Sequence, residues 1–444
     1  MTQSQRISII GAGPVGLLLA ILLAKRGYPI NLYERFPEEE LCQHASTRSF
    51  SITFFKRGLD ILQKAGLLDD FTPHLLPITG SVIHPLFDDD IMLDANTTRT
   101  PYHVIKRSSI VEIMMKKISQ LPNIRLHFNK SVVSIDRYRN TMLVEDLKTG
   151  QHELIPFSVV FGADGAHSQV RKFVYEGQDA HFTEEYEQWK YKQVFFPENI
   201  VKKMNLQQDR MHLWPREKAM LLIFPNTEGS MTGMLVLSSF DQFKTREDVK
   251  AFMSKKFEAL LPNLEQITDN ILQNPVGKFV SIHVDPWYYK GTMALLGDAA
   301  HAALPSHGQG ITAGFEDVWT LIELVDTYGP VWDRIFPEYQ EKRKKHADAL
   351  VDASKSSFVR FMRHKKADYE AIYDRVDELL YKLFPRFWQP PFYVLMSSYT
   401  KGFADIIAIH KKQRMIGKYI GISFAVWIVT KILSFIETIT SSSS

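Results

Sequence analysis

The chain has 444 residues, of which 45% are hydrophobic and 23% charged, so it can bury a large core and is predicted to form two or three domains. Its formal net charge of +3 is small for this length, and much of the basic excess lies near the C-terminus, so no nucleic-acid-binding surface is indicated. The single cysteine, Cys42, excludes an internal disulfide and a cysteine-based metal site, and the sequence has no other clustered metal-ligand spacing.

The N-terminal segment predicts a strand, a turn, a helix and a second strand. Residues 6–10 form a β-branched run, residues 11–16 contain three glycines, residues 17–25 are apolar over a helical length, and residues 30–33 form a second apolar run. This order is typical of a parallel sheet in an α/β protein. Because the apolar stretch lacks a small-residue cleavage site, we expect no signal peptide and a mature chain that begins near Met1.

The three glycines, Gly11, Gly13 and Gly16, have the spacing of a dinucleotide-binding turn. In such a turn the first glycine makes the tight bend, the second lets the backbone approach a pyrophosphate, and the third lets helix and strand pack closely. The helix N-terminus offers its unpaired N–H groups to the pyrophosphate. Glu34 ends the second predicted strand, where a carboxylate would accept hydrogen bonds from ribose hydroxyls. The pattern predicts dinucleotide binding; the alternative is an ordinary glycine-rich turn.

Two later strands also end in turn sequences. Residues 158–162 precede Ala163-Asp164-Gly165-Ala166, and residues 293–296 precede Gly297-Asp298-Ala299-Ala300-His301. Between these motifs the pattern changes to alternating strands, which favours an antiparallel sheet inserted into one nucleotide-binding domain. The strands of this insert are predicted at 211–214, 219–224 and 231–237, and a helix is predicted over 346–364.

The predicted domain organisation is discontinuous. We assign 1–75, 103–177 and 276–345 to the nucleotide-binding domain, 76–102 and 178–275 to a substrate domain, 346–410 to a C-terminal helical region, and 411–444 to a basic flank with a hydrophobic membrane anchor.

The C-terminal residues 419–436 are apolar except for Lys431 and small or hydroxyl residues. Lys411, Lys412, Arg414 and Lys418 precede this segment. Because positive charge stays on the cytoplasmic side of a membrane, we expect a tail anchor or an interfacial helix with the catalytic body facing the cytoplasm. A buried or partner-packing helix is the alternative.

The three motifs together resemble those of the FAD-dependent (class A) aromatic hydroxylases. The resemblance implies an α/β fold: an FAD-binding Rossmann-like domain with an inserted antiparallel-sheet substrate domain and a C-terminal helical region. It also implies that NADPH reduces the flavin, that molecular oxygen is captured as a flavin C4a-hydroperoxide, and that one oxygen atom passes to a small aromatic substrate. Asp298 would bind the FAD ribityl chain, and the glycines after Pro305 would let the backbone approach the isoalloxazine ring.

The residues that the resemblance assigns to FAD lie in all three motifs and in two arginine-containing segments. They are Gly11, Gly13, Pro14, Val15, Gly16, Glu34, Arg35, Arg48, Arg107, Asp164, Gly297, Asp298, Pro305, Gly308, Gln309, Gly310, Ile311 and Thr312. Alternative interpretations stay open for three groups. Asp298 could be a helix cap, His301 and His307 core histidines, and Arg48 and Arg107 surface arginines.

The stretch His212-Leu213-Trp214-Pro215-Arg216 and the residues that follow Gly310 resemble one subfamily, whose substrate carries an amino-acid carboxylate. By spacing, the subfamily's carboxylate-binding arginine falls at Ser81, its substrate tyrosine near Ala95, and its C-terminal asparagine near Lys355. Tyr393 matches a second substrate tyrosine. A serine cannot replace the charged, bidentate fork of an arginine.

The substrate is therefore open at the level of the sequence. Lys355, Arg360 or Tyr102 could rebuild the carboxylate site, and His307 is the one candidate for a catalytic side chain. Alternatives are an enzyme for another phenolic or quinone-precursor aromatic and a non-catalytic FAD-binding module.

Overall fold

The computed structural model describes residues 6–41, 51–85, 90–94, 102–257, 264–363, 369–398, 401–419 and 430. The chain forms two compact units, Met1–His364 and Lys365–Ser444. Arg48 and Ala95, and all of 419–436 except Tyr419 and Thr430, lie outside the described residues.

Nineteen strands are numbered here in chain order. They are β1 Ile7–Ile10, β2 Ile30–Tyr33, β3 Ile52–Phe54, β4 Leu76–Ile78, β5 Gly80–Ile83, β6 Ile91–Asp94, β7 Tyr102–Ile105, β8 Ile124–His127, β9 Lys130–Asp136, β10 Thr141–Asp146, β11 His152–Pro156, β12 Val159–Gly162, β13 His181–Phe196, β14 Arg210–Arg216, β15 Ala219–Pro225, β16 Met231–Leu237, β17 Gly277–Asp285, β18 Tyr288–Tyr289 and β19 Met293–Leu295.

The helices are numbered in the same way. They are α1 Pro14–Ala24, α2 Lys56–Lys64, α3 Leu68–Phe71, α4 Arg107–Ile118, α5 Val170–Tyr175, α6 Glu198–Lys203, α7 Arg246–Lys256, α8 Leu264–Gln273, α9 Asp298–His301, α10 Gly310–Tyr328, α11 Trp332–Arg363, α12 Tyr369–Leu383 and α13 Phe392–Ser398. The described residues also include two 3-10 turns, Thr72–His74 and Pro305–His307, a helical segment over 38–41 and a further helix over 403–419.

The first sheet has six strands in the order β18-β19-β12-β1-β2-β8. All neighbours run parallel except β18 and β19. Strands β1 and β12 are fully buried, as expected when helices cover both faces of a parallel sheet. Helix α1 is apolar on all sides and buried from Gly16 to Ala24, so it belongs to the core of the first unit.

The second sheet has seven strands in the order β17-β13-β16-β15-β14-β5-β6. Its pairs are antiparallel except β14 and β5. Alternate residues of β15 face opposite sides: Leu221 and Ile223 pack on the side of α7 and α8, whereas Met220 packs on the side of α11. The predicted α/β architecture with an inserted, mainly antiparallel sheet is confirmed. The domain boundaries given above stay a prediction.

Two three-stranded sheets, β11-β10-β9 and β3-β7-β4, complete the first unit. Helix α11 begins at Trp332, well before the predicted start at residue 346, and it contains Pro337. The turn Pro305–His307 lies against this helix, because Ser306 Oγ donates a 2.7 Å hydrogen bond to the Ser354 carbonyl. The long helix therefore supports the segment that follows the third motif.

The second unit is helical in its described part. Asp377 accepts a 3.1 Å hydrogen bond from Trp388 Nε1 and lies 3.6 Å from Arg414 Nε, which joins α12 to the helix over 403–419. Across the described ranges, every helix is too short or too polar to cross a bilayer.

Candidate functional site

The turn between β1 and α1 can be built only with glycine at two positions. Gly11 has φ +102°, and a Cβ there would lie 2.5 Å from the Ala163 carbonyl oxygen. A Cβ on Gly16 would lie 2.0 Å from the Gly11 carbonyl oxygen. The first glycine therefore makes the bend and brings the turn against the second motif, and the third permits close packing of helix and strand.

Gly13 differs, because no atom of the described residues outside its chain neighbours lies within 4 Å of the position that its Cβ would take. It is the N-cap of α1, no side chain of the described ranges caps this helix end, and Pro14 occupies the first turn. The N-terminal N–H groups of α1 thus lack a side-chain acceptor at a position that the protein leaves uncovered. Such a helix end attracts an anion such as a pyrophosphate.

Glu34 lies directly beside this turn. Its carboxylate is 7% exposed and accepts hydrogen bonds from Ala12 N at 2.8 Å and Phe36 N at 3.1 Å. Arg35 is exposed, with its guanidinium 4.8 Å from the centre of the Phe36 ring. The end of β2 therefore carries an acidic and a basic side chain next to the glycine turn.

The second motif forms a closed turn before α5. The Asp164 carboxylate accepts hydrogen bonds from Ser168 Oγ at 2.5 Å and Gln169 N at 2.7 Å. Burial raises the pKa of Asp164, although the hydrogen bond from Ser168 works in the opposite direction. Arg171, which is 4% exposed, donates to the carbonyls of Ala166 and Ala299 and so joins the second motif to the third.

The third motif begins with Gly297 at φ +59°, directly beside Val15 of α1. Asp298 is the first residue of α9, and its side chain is exposed to solvent. Loss of hydration nevertheless raises its pKa, while His301 and Arg107 act to lower it. Asp298 is therefore accessible to a ligand, although nearby protein atoms disfavour its charged form. Arg107, an exposed residue at the start of α4, is close enough to act on it.

A second helix N-terminus follows the turn Pro305–His307. Gly308 has φ +62°, and its carbonyl accepts a 3.0 Å hydrogen bond from Thr53 Oγ1. Gln309 is the N-cap of α10, and a Cβ on Gly310 would meet no atom of the described residues within 4 Å beyond its own local backbone. In the same first turn of α10, Thr312 is fully buried and its hydroxyl has no hydrogen-bond partner among the described residues. The backbone at Gly310 is therefore as uncovered as that at Gly13.

His307 is the candidate catalytic side chain. Burial lowers its pKa to about 4; a hydrogen bond with the Ala353 backbone opposes this shift, and Arg360 adds to it. The imidazole is therefore neutral at physiological pH. It can position a group by hydrogen bonding, but it does not supply a cation there.

The residues predicted for the substrate lie in different settings. Ser81 is 1% exposed on β5, where it pairs with Met211 of β14 and Leu93 of β6. Lys355 forms an ion pair with Glu185. Tyr393 lies in α13 of the second unit, half-buried, and its carbonyl accepts a hydrogen bond from Ser397 Oγ at 2.8 Å.

Sequence reasoning missed the side chains that brace these turns. Thr53 holds Gly308, and Asp317 of α10 accepts a 2.9 Å hydrogen bond from Gly297 N. The signal was present in the sequence, because Glu316 and Asp317 are adjacent acidic residues near the start of a mainly apolar helix. Charged side chains at such positions are rarely buried without partners.

The arrangement fits a dinucleotide. Two uncovered helix N-termini, an accessible aspartate and the carboxyl ends of β1, β12 and β19 converge at one edge of the parallel sheet. Within the described ranges, no group of three or more His, Cys, Asp or Glu side chains is arranged to hold a metal ion.

Comparisons with known proteins agree with this geometry. A family described as "FAD binding domain" matches residues 4–354. The kynurenine 3-monooxygenase of Salinispora tropica is 30% identical over 441 residues, with 95% of this chain and 94% of that protein covered. The kynurenine 3-monooxygenase of Legionella pneumophila is 32% identical over 80% of each chain. Among solved structures, 2-methyl-3-hydroxypyridine-5-carboxylic acid oxygenase has a TM-score of 0.68 at 18% identity and covers 82% of this chain and 94% of its own.

Proposed function

We propose that this chain, which belongs to the FAD-binding flavoprotein monooxygenases, hydroxylates a small aromatic substrate using NADPH and molecular oxygen. It is related to kynurenine 3-monooxygenases over nearly its whole length. The observation that carries the proposal is the convergence of the uncovered helix N-termini at Gly13 and Gly310 at one sheet edge, together with the accessible Asp298. Ring hydroxylation of the kind that kynurenine 3-monooxygenase catalyses is the first candidate reaction.

We assign the FAD pyrophosphate to the uncovered backbone at Gly13 and the ribityl chain to Asp298. Glu34 would meet the adenosine ribose, and the backbone from Gly308 to Thr312 would meet the flavin ring. When bound, FAD supplies the hydride acceptor for NADPH and the site at which oxygen is activated. The protein's own task is to hold the substrate ring in place and to exclude water from it.

Apolar packing next to the turn Pro305–His307 suits this task. Leu304 is 3% exposed and belongs to a cluster with Met220, Met234 and Phe358. These side chains come from the inserted sheet and from α11, so they cover the turn from two elements. Together with the neutral His307, they give this part of the site a low-polarity lining that disfavours bulk water.

A second candidate reaction is hydroxylation of an aromatic that lacks an amino-acid carboxylate, such as a phenol or quinone precursor. It is favoured by Ser81, which offers no positive charge, and by Lys355, whose ammonium group is engaged by Glu185. Lys355 would have to exchange this partner to bind a substrate carboxylate.

The test is a coupled assay with the purified FAD-loaded enzyme, NADPH and ¹⁸O₂. L-Kynurenine and a set of phenols are compared by mass spectrometry of the hydroxylated product. We expect incorporation of one ¹⁸O atom into an aromatic product. The labelled product is scored instead of NADPH loss, because a poorly fitting ligand can stimulate flavin reduction alone. NADPH loss with every aromatic tested, but without labelled product, would contradict the proposal.

We also propose that residues 419–436 tether the enzyme to a membrane, with the catalytic body facing the cytoplasm. The support is the basic flank of Lys411, Lys412, Arg414 and Lys418, together with the apolar residues at the end of the helix over 403–419. Of these, Met415 is 54% and Tyr419 66% exposed, so the helix does not bury its own apolar end.

A further inference from the structure

The helix that carries Asp298 is too short to maintain its own conformation. Helix α9 has four residues, Asp298–His301, and begins after Gly297, whose φ of +59° and ψ of −141° are accessible mainly to glycine. A single helical turn fixes several backbone angles for very few hydrogen bonds and is unstable alone. Something outside the turn must therefore hold it.

Asp317 of α10 contacts both ends of this turn. One carboxylate oxygen, Oδ2, accepts hydrogen bonds from Gly297 N at 2.9 Å and from His301 Nε2 at 2.5 Å. Gly297 directly precedes α9 and His301 ends it. Asp317 is fully buried and His301 is 2% exposed, so these bonds are shielded from solvent.

The negative charge of Asp317 is balanced inside the protein. Arg343 of α11 donates from Nε to Asp317 Oδ1 at 2.9 Å and from Nη1 to Glu316 at 2.8 Å, and Arg57 of α2 donates to Glu316 at 2.7 Å. Burial acts to raise the pKa of Asp317, but His301 and Arg343 more than offset it, and the net pKa lies below the ordinary value. Asp317 is thus ionised at neutral pH. The negative charges of Asp317 and Glu316 are balanced by the positive charges of Arg343 and Arg57.

The ring of His301 is also fixed in orientation. It lies against Trp287, with the ring centres 5.1 Å apart and the planes 29° from parallel. Because the Asp317 carboxylate can only accept, His301 Nε2 must carry the proton of their hydrogen bond. The tautomer and the direction of the ring are therefore set by Asp317 and Trp287.

We propose that Asp317 and His301 are positioning residues, which hold the Gly297–Asp298 turn in the conformation that accepts FAD. The inference rests on the proposed role of Asp298 in binding FAD. Neither residue needs to touch the cofactor, since each acts through the turn.

The first test measures the FAD affinity of the apoprotein by quenching of flavin fluorescence. Asp317→Asn keeps the volume but offers one acceptor oxygen instead of two, so it cannot serve both Arg343 and the turn. We expect FAD binding to weaken about tenfold or more. Glu323→Gln is the matched control on the same helix, because Glu323 is exposed and, among the described residues, its carboxylate accepts a hydrogen bond only from Trp319 Nε1. A folded Asp317→Asn protein with wild-type affinity would overturn the proposal, even if its thermal stability fell.

A second pair of variants decides the question if Asp317→Asn does not fold. In His301→Gln the amide nitrogen can replace Nε2 as the donor to Asp317, whereas His301→Leu has no donor. We expect near-normal FAD affinity in the first and weak affinity in the second. Equal affinity in the two variants would refute the positioning role.

Asp298→Ala separates this inference from the function on which it rests. Unchanged FAD affinity in Asp298→Ala would mean that the turn does not bind the cofactor at all. Weakened affinity in Asp298→Ala, with normal affinity in Asp317→Asn, would mean that the turn binds FAD without help from Asp317.

Discussion

At the scale of single residues, a substitution at Gly13 can block the cofactor without disturbing the packing of the protein itself. A Cβ at Gly13 meets none of the described residues outside its chain neighbours within 4 Å, so we expect Gly13→Val to fold and yet to block the approach of the pyrophosphate. We expect the purified variant to have lost most of its FAD absorbance, and Asp298→Ala to have lost part of it. Gly16→Ala is the contrast, because its Cβ would lie 2.0 Å from the Gly11 carbonyl oxygen and should lower the melting temperature of the apoprotein. Full FAD occupancy in Gly13→Val would disprove the assignment of this turn.

Ser81 gives the prediction with the greatest consequence for the substrate. If Ser81 occupies the carboxylate-binding position, L-kynurenine should bind poorly, since losing a charge-assisted hydrogen bond costs on the order of 1.5–3 kcal/mol, or roughly ten- to a hundredfold in affinity. Ser81→Arg should lower the KM for L-kynurenine, whereas Ser81→Met, which adds bulk without charge, should not. Because Ser81 is buried on β5, both variants are compared by thermal unfolding as well. Efficient native turnover of L-kynurenine would show that another cation holds the carboxylate.

Two buried histidines predict a loss of stability in acid. Burial lowers the pKa of His212 to about 4, although the 2.9 Å hydrogen bond from its Nε2 to the Gln207 carbonyl acts to raise it. Burial also lowers the pKa of His307 to about 4. Both folded-state pKa values lie below the ordinary value of 6.5, so the unfolded chain binds protons more readily. Each neutral histidine contributes on the order of 3 kcal/mol to the free energy of unfolding. This contribution is complete above pH 6.5 and is lost as the pH falls toward about 4.

Urea unfolding at pH 7 and pH 5 measures this loss. His212→Gln has no titrating ring at this position, so its free energy of unfolding should fall less between the two pH values than that of the unmodified protein. Identical losses in the two proteins would show that His212 does not contribute.

At the scale of elements, the sequence predicted those strands and turns whose limits are set by neighbouring residues. Strand β2 was predicted at 30–33 and β16 at 231–237, and both have these limits, because a mainly apolar run ends there at polar residues. The glycine turn was predicted because its backbone geometry leaves little choice of residue. These are the positions at which sequence and backbone conformation constrain each other most directly.

Other elements depend on distant partners and could not be predicted. Strand β13 runs over 16 residues through a charged sequence, because β16 and β17 provide its pairing on either side. The parallel pairing of β5 with β14 joins segments about 130 residues apart, as their register Gly80 to Arg210 shows. The bracing of Gly297 by Asp317 is equally non-local. Periodicity reports which residues are buried but not which partner buries them.

At the scale of the whole molecule, the three flavin motifs all lie in the first unit, Met1–His364, whereas the apolar C-terminal segment belongs to the second. Cofactor binding and membrane attachment should therefore be separable by truncation. A chain that ends at Lys418 retains every residue predicted to bind FAD and loses residues 419–436. We expect it to retain its FAD.

The same truncation tests the membrane tether. Without the apolar segment 419–436, the chain ending at Lys418 should move from the membrane pellet to the soluble fraction, because this segment would supply most of the hydrocarbon contact. In the full-length chain, changing Lys411, Lys412 and Lys418 to glutamate should weaken binding to vesicles with anionic lipids, since each basic residue near such a surface contributes about 1 kcal/mol. Light scattering of the truncated protein excludes aggregation as the cause of pelleting. If the truncated, monodisperse protein still binds membranes, the contact lies elsewhere in the chain. The first candidates are Leu383 and Phe387 of the second unit, which are 60% and 87% exposed, and Phe387→Ser tests them.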